Sequence, residues 1–128
     1  MRMRTRLFTA LFAVLLALGG AACGTEPVST VSGSTDIVEV AEDRTWIDVR
    51  TPGEFADGHL EGAVNIDLQS PDFRDQVAEL PRDGSYFLYC RSGNRSAEAA
   101  RIMAELGFRD VVDGGGFTQL VEAGLPSA

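Results

Sequence analysis

The chain is organised around one short segment in which a cysteine stands between an apolar run and a helical pattern. The segment extends from Cys90 to Ser96 (CRSGNRS), and the four residues before it, 86–89, are aromatic or apolar. After it, apolar residues recur at the spacing of one helix face. This order predicts a strand, a tight loop and a helix. It places the cysteine at the carboxyl end of a strand, where open parallel sheets bind their ligands.

The residues of this loop suit the recognition of an anion. A short loop that enters a helix turns several backbone N–H groups inward, at the positive end of the helix dipole. Arg91 and Arg95 add positive charge, and Gly93 and Asn94 both tolerate the positive φ of a tight curve. The loop therefore predicts a thiolate nucleophile at Cys90 that reacts with an anion. The alternative is an inert, buried cysteine.

The loop resembles the active-site loop of the rhodanese (sulfurtransferase) family. An upstream segment, residues 45–55 (TWIDVRTPGEF) followed by 58–63 (GHLEGA), resembles the upstream motif of that family. Both motifs stand in the family's order and spacing, and the resemblance covers residues 36–126. It implies a rhodanese-like α/β fold, a five-stranded mainly parallel sheet with helices on both faces.

The resemblance also implies a reaction. Cys90 would be the catalytic residue of a sulfurtransferase and would carry the transferred sulfur as a persulfide. The substrates would be a small anionic sulfur donor, such as thiosulfate, and a thiol or cyanide acceptor, with no cofactor. The substrate-binding loop would consist of Arg91, Ser92, Gly93, Asn94, Arg95 and Ser96.

Two alternatives stay open beside this interpretation. One is a module without catalysis that carries persulfide sulfur or binds a partner, because a fold does not fix a function. The other is an enzyme that resembles cysteine phosphatases or arsenate reductases. The loop argues against the second, since cysteine phosphatases have five residues between cysteine and arginine, whereas Cys90 and Arg95 are separated by four.

Upstream of the loop, four polar residues are predicted to support it. Asp48 lies in an apolar strand and needs a partner if it is buried, for which Arg50 or a loop arginine is available. Arg95 is expected to turn inward, toward Asp48 or Glu54. His59 is the only histidine, and its place in a turn favours a structural hydrogen bond over a cysteine–histidine pair. One histidine and one cysteine in the domain predict no metal site.

The first 22 residues have the three parts of a secretory signal peptide: a basic start, an apolar run over 7–18 and a small-residue exit. The apolar run is shorter than the about 20 residues that span a bilayer. Cys23 follows directly, as in a bacterial lipoprotein signal, where this cysteine is lipidated. We therefore expect export across the bacterial inner membrane and a cell-envelope lipoprotein anchored through Cys23. Ordinary cleavage to a soluble secreted protein is the alternative.

After the signal peptide (1–22), the chain divides into the lipidation cysteine with a flexible linker, 23–35, and one rhodanese-like domain, 36–128. The linker is rich in Gly, Ser and Thr and has no apolar period. The formal net charge is −8, and the 19 acidic residues face only eight arginines once the three of the signal are removed. Such a charge disfavours nucleic acid as a partner.

Within the domain, strand and helix patterns alternate, which indicates an α/β layer architecture. Helices are predicted from Pro52, from 70–72, after the Cys90 loop and near Phe117, and a glycine turn at 114–116. Thr51 and Glu54 form a predicted capping box for the first of these helices. The predicted strands are residues 37–40, 46–49, 63–66, 86–89 and 111–112.

Overall fold

The computed structural model describes residues 28–30 and 34–128, so the predictions for the signal peptide and Cys23 lie outside the described residues. Within these ranges, no helix is long and apolar enough to cross a membrane. The described part of the chain contains five strands and five helices: β1 Val28–Thr30, α1 Ser34–Ala41, β2 Thr45–Asp48, α2 Pro52–Asp57, β3 Val64–Asn65, α3 Phe73–Ala78, β4 Ser85–Cys90, α4 Asn94–Glu105, β5 Asp110–Gly116 and α5 Phe117–Ala123.

The strands form one sheet in the order β1-β5-β4-β2-β3, and every neighbouring pair is parallel. Strand β4 is central, and its register pairs Tyr86 with both Thr45 and Val111. A central parallel strand is covered on both faces, which explains why β4 is a continuous apolar and aromatic run rather than an alternating one.

Alternate residues of β4 face opposite sides of the sheet. Leu88 and Cys90 belong to an apolar cluster with residues of α3 and α4, whereas Phe87 and Tyr89 belong to a second cluster with residues of α1 and α5. Helices therefore cover both faces, as the resemblance implies. The Cys90 side chain lies on the α4 side.

One predicted strand is wrong. Residues 37–40 belong to helix α1, and Ile37 and Ala41, four residues apart, are both buried on its inner face. In so short a run, β-branched residues suggest a strand, and burial against the second cluster overrides that preference. The other four predicted strands are present.

The remaining strand, β1, comes from the segment predicted as a linker. Val28–Thr30 pairs with residues 111–113 of β5 at the edge of the sheet. A three-residue edge strand within a polar segment has too short a pattern to be detected.

Strand β5 is longer than predicted. It continues to Gly116, through the residues predicted as a glycine turn, and Gly116 pairs with Cys90. Glycine is a poor strand former, so the three glycines at 114–116 do not indicate a strand in the sequence. As a result, the end of β5 lies beside the Cys90 loop.

Candidate active site

Cys90 is the last residue of β4, and its side chain is fully buried. Its Sγ accepts a hydrogen bond from the backbone N–H of Gly93 at 2.8 Å. Gly93 has φ +103°, a left-handed conformation that glycine adopts without strain. The loop therefore turns back over the sulfur within three residues.

A second hydrogen bond joins the sulfur to Ser96, which is also fully buried. The Cys90 thiol donates to Ser96 Oγ at 3.4 Å, and the Ser96 hydroxyl donates to the Gly93 carbonyl oxygen at 3.0 Å. A serine hydroxyl rotates and is able to donate or accept. When the sulfur carries a negative charge, Ser96 and the Gly93 N–H can therefore both donate to it.

Helix α4 begins directly after the loop, with Gly93 as its N-cap. Ala99, Ala100 and Met103 are buried against the sheet and fix the orientation of the helix. The positive end of the twelve-residue helix consequently lies at the Cys90 loop.

Arg95 binds Glu54, one of its two predicted partners. Its two terminal nitrogens donate to the two Glu54 carboxylate oxygens, at 2.8 and 3.0 Å. These hydrogen bonds are the main reason that the pKa of Glu54 falls from 4.5 to about 2. Thr51 caps α2 through the Glu54 N–H, which confirms the Thr51 cap of the predicted capping box. The ion pair thus joins the loop to α2.

Asp48 and Arg50 form a buried ion pair, so Arg50 and not a loop arginine is the partner of Asp48. Arg50 donates from Nε and Nη2 to the carboxylate of Asp48, and Nη2 also reaches the Gly58 carbonyl oxygen at 2.6 Å. The guanidinium lies over the Phe117 ring at 4.6 Å from its centroid. Because every buried charge here has partners, the pair holds the end of β2 against the segment after α2.

His59 makes the structural hydrogen bond predicted for it. Its Nδ1 lies 2.8 Å from the Phe55 carbonyl oxygen, and its ring stacks on the Phe55 ring with the centroids 3.7 Å apart. Its backbone pairs with Ala128 through two hydrogen bonds. His59 thereby ties the chain end to the segment after α2.

Gly116 packs against the backbone of the Cys90 loop, and this contact was not predicted from the sequence. A Cβ at this position would lie 2.7 Å from the Arg91 carbonyl oxygen, closer than side-chain carbons approach backbone oxygen. Only glycine therefore lets β5 pass this close to the loop. The run of three glycines before a helix pattern was the available indication.

Beside the loop lies a cavity of about 230 Å³, which we call the loop cavity. Arg91 is exposed and contributes to its wall, whereas the other exposed loop residues, Ser92 and Asn94, do not line it. No group of three or more metal-ligating side chains occurs in the described part of the chain. The loop cavity is lined by Arg50, Glu54, Asp57, Arg91, Phe117 and Thr118.

The chain is similar in sequence to known proteins. It is 33% identical over 75 residues to the thiosulfate sulfurtransferase PspE of Escherichia coli K12, covering 59% of this chain and 72% of that protein. It is 34% identical over 93 residues to thiosulfate sulfurtransferase 16 of Arabidopsis thaliana, covering 64% and 78%.

Structural and family comparisons agree. The crystal structure of a rhodanese-related protein from Thermoplasma volcanium superposes with a TM-score of 0.65 at 31% identity, covering 78% of this chain and 98% of that one. The model of the Rhodanese-like domain family matches residues 35–123. The chain therefore belongs to the rhodanese-like domain family.

Proposed function

We propose that the protein is a sulfurtransferase that moves a sulfane sulfur from thiosulfate, or a similar donor, to a thiol or cyanide through a persulfide on Cys90. One observation carries the proposal. The Cys90 sulfur lies at the base of a loop that aims the Gly93 N–H at it from 2.8 Å, beside the buried Ser96 hydroxyl. Two relatives that are named thiosulfate sulfurtransferases support the same reaction.

In the first step, the Cys90 thiolate attacks the outer sulfur of thiosulfate. A bond forms between the two sulfurs, the bond from the outer sulfur to the sulfonate sulfur breaks, and sulfite leaves with the electron pair. Charge is conserved, because the thiolate and the thiosulfate dianion become a persulfide anion and a sulfite dianion. Arg91 attracts the dianion to a protein that is otherwise strongly acidic.

The persulfide then needs donors for its negative charge. Backbone N–H groups that are already oriented stabilise such a charge without reorganisation, as an oxyanion hole does. Gly93 and Ser96 place an N–H and a hydroxyl beside Sγ, the inner sulfur of the persulfide, and α4 adds the positive end of its dipole.

In the second step, an acceptor attacks the outer sulfur of the persulfide. The sulfur–sulfur bond breaks, and its electron pair returns to Cys90 Sγ. Cyanide leaves as thiocyanate, and a thiolate leaves as a persulfide anion. The chain has only one other cysteine, Cys23, which we propose is lipidated, so an external acceptor must discharge the persulfide.

The position of Arg95 argues against a phosphatase. Phosphate recognition uses a guanidinium as a bidentate donor to the phosphoryl oxygens. Both terminal nitrogens of Arg95 already bind Glu54, and the next residue, Ser96, points to the sulfur with a neutral hydroxyl.

Steady-state assays test the proposal. The purified protein should form thiocyanate from thiosulfate and cyanide over many turnovers and should leave aryl phosphates unchanged. Cys90→Ser should abolish turnover. One thiocyanate per protein, without further turnover, would indicate a persulfide carrier instead. Hydrolysis of aryl phosphates through Cys90 without sulfur transfer would overturn the proposal.

We also propose that the protein is an exported lipoprotein anchored to the cell-envelope membrane through Cys23. The basic start, short apolar run and small residues before Cys23 support it. Cells should incorporate labelled palmitate into the protein, and Cys23→Ser should release it to the soluble fraction. Equal solubility of both forms without label would contradict the anchor.

A further inference from the structure

The loop cavity holds two opposite charges that do not neutralise each other. Four of its lining residues are charged, but Arg50 is bound to Asp48 and Glu54 is bound by Arg95. Arg91 and Asp57 make no ion pair with any residue that the structure describes. The cavity therefore offers a ligand one available guanidinium and one available carboxylate.

The guanidinium side of the loop cavity is supplied by the residue next to the reacting cysteine in the chain. Arg91 follows Cys90 directly, and its carbonyl oxygen is held against Gly116 at the end of β5. Phe117, the residue after Gly116, gives the cavity an apolar wall that is fixed by contact with the Arg50 guanidinium.

The size of the loop cavity restricts its ligand. Drug-sized ligands occupy clefts of roughly 300–1,000 Å³, whereas this cavity measures about 230 Å³. A ligand on the scale of a single amino acid suits it, and a folded protein partner would not enter it.

The available carboxylate, Asp57, interacts differently with the sulfur donor and with a sulfur acceptor. Thiosulfate is a dianion, so the Asp57 carboxylate repels it and opposes its binding. A ligand that carries both a carboxylate and an ammonium group has a use for each charge. An acceptor thiol with both groups thus matches the lining of the cavity better than the donor does.

We propose that the loop cavity is the acceptor subsite and that it favours a small zwitterionic aminothiol, of which free cysteine is the simplest example. This inference rests on the proposed function. Arg91 binds the acceptor's carboxylate, Asp57 binds its ammonium group, and Phe117 contacts its methylene group.

The transfer balances without a further reactant. The acceptor's thiolate attacks the outer sulfur of the Cys90 persulfide, and a new sulfur–sulfur bond forms. The bond between the outer sulfur and Cys90 Sγ breaks, and the electron pair stays on Sγ. The acceptor leaves as its own persulfide anion, and Cys90 is again a thiolate.

Discharge of the loaded protein tests the subsite. The purified full chain is loaded with thiosulfate, freed of excess donor, and checked by mass spectrometry for one added sulfur. Its discharge is then timed with cysteine, N-acetylcysteine and cysteine methyl ester, at equal thiolate concentrations because the three thiols ionise differently. We expect cysteine to discharge it about fivefold faster than either analogue, the effect of about one partly exposed charge pair.

Two variants test which residue produces each preference for cysteine over an analogue. Asp57→Asn should reduce the preference for cysteine over N-acetylcysteine to about one, and Arg91→Gln should do the same for the preference over the methyl ester. Asp83→Asn and Arg109→Gln make the same charge changes in a different cavity and should preserve both preferences.

Each result separates the two proposals. Loading followed by equal discharge with all three thiols overturns the subsite and leaves the sulfurtransferase intact. A preference that survives Asp57→Asn also overturns the subsite. A protein that takes up no sulfur overturns the proposed function and the subsite with it.

Discussion

Arg95 and Glu54 meet through both nitrogens and both oxygens, at 2.8 and 3.0 Å, across 41 residues of sequence. The pair connects the first turn of α4 to the first turn of α2. It engages both terminal nitrogens of Arg95. The ion pair therefore ties the loop to α2. The hydrogen bonds of the Cys90 sulfur are made with the Gly93 N–H and the Ser96 hydroxyl.

This ion pair predicts a defined pH dependence of stability. The pKa of Glu54 in the folded protein is lowered from 4.5 to about 2, chiefly by the Arg95 hydrogen bonds. Its contribution is fully present above about pH 4.5 and is lost as the pH falls through about 2. Urea unfolding of wild type and Glu54→Gln should differ by about 1 kcal/mol at pH 6 and converge near pH 2.

A matched substitution controls for the lost carboxylate. Glu61 is exposed and makes no ion pair with another described residue. Glu61→Gln should therefore follow the wild type at every pH. A Glu54→Gln difference that stays constant down to pH 2 would show that this pair does not produce the effect.

Removing the arginine of the buried Asp48–Arg50 pair should lower stability more than removing the arginine of the more exposed Arg44–Asp110 pair. Side-chain exposure is 6% for Arg50 and 0% for Asp48, against 20% for Arg44 and 47% for Asp110. Arg50→Met leaves the Asp48 carboxylate buried without its partner, which should lower the free energy of unfolding by about 3–5 kcal/mol. Arg44→Met should cost less than about 1 kcal/mol. Equal losses in urea unfolding would contradict the structural role of Arg50.

The Cys90 loop, the Thr51 cap and the Asp48–Arg50 pair could be predicted because each is encoded within a few residues. Helix α1 could not, because the spacing of Ile37 and Ala41 over one short run fits a buried strand as well as a helix. Its identity depends on burial against another element, which the local pattern does not contain.

The loop cavity could not be predicted for a related reason. Asp57 ends a short helix with no buried residues, and Phe117 begins another helix 60 residues later. Nothing in either local pattern indicates that Asp57 and Phe117 line the same cavity as Arg91. The extension of β5 to Gly116, which pairs with Cys90, starts the helix of Phe117 next to the loop.

The close approach of β5 to the loop predicts a steric effect on activity. Gly116→Ala places a carbon 2.7 Å from the Arg91 carbonyl oxygen, so the loop backbone must move. A displaced loop misaligns the Gly93 N–H, and thiocyanate formation should fall at least about tenfold. Gly53→Ala meets no atom within 4 Å and should leave the rate unchanged. Full activity in Gly116→Ala would show that this contact does not position the loop.

The proposed persulfide is tested most directly by the mass of the peptide that contains Cys90 after the protein is treated with thiosulfate alone. A persulfide on Cys90 predicts one added sulfur on that peptide, one sulfite released for each sulfur bound, and removal of the sulfur by cyanide. Cys90→Ser should show none of these. Uptake of sulfur by the Cys90→Ser variant, or no added sulfur on the wild-type peptide, would contradict the persulfide on Cys90.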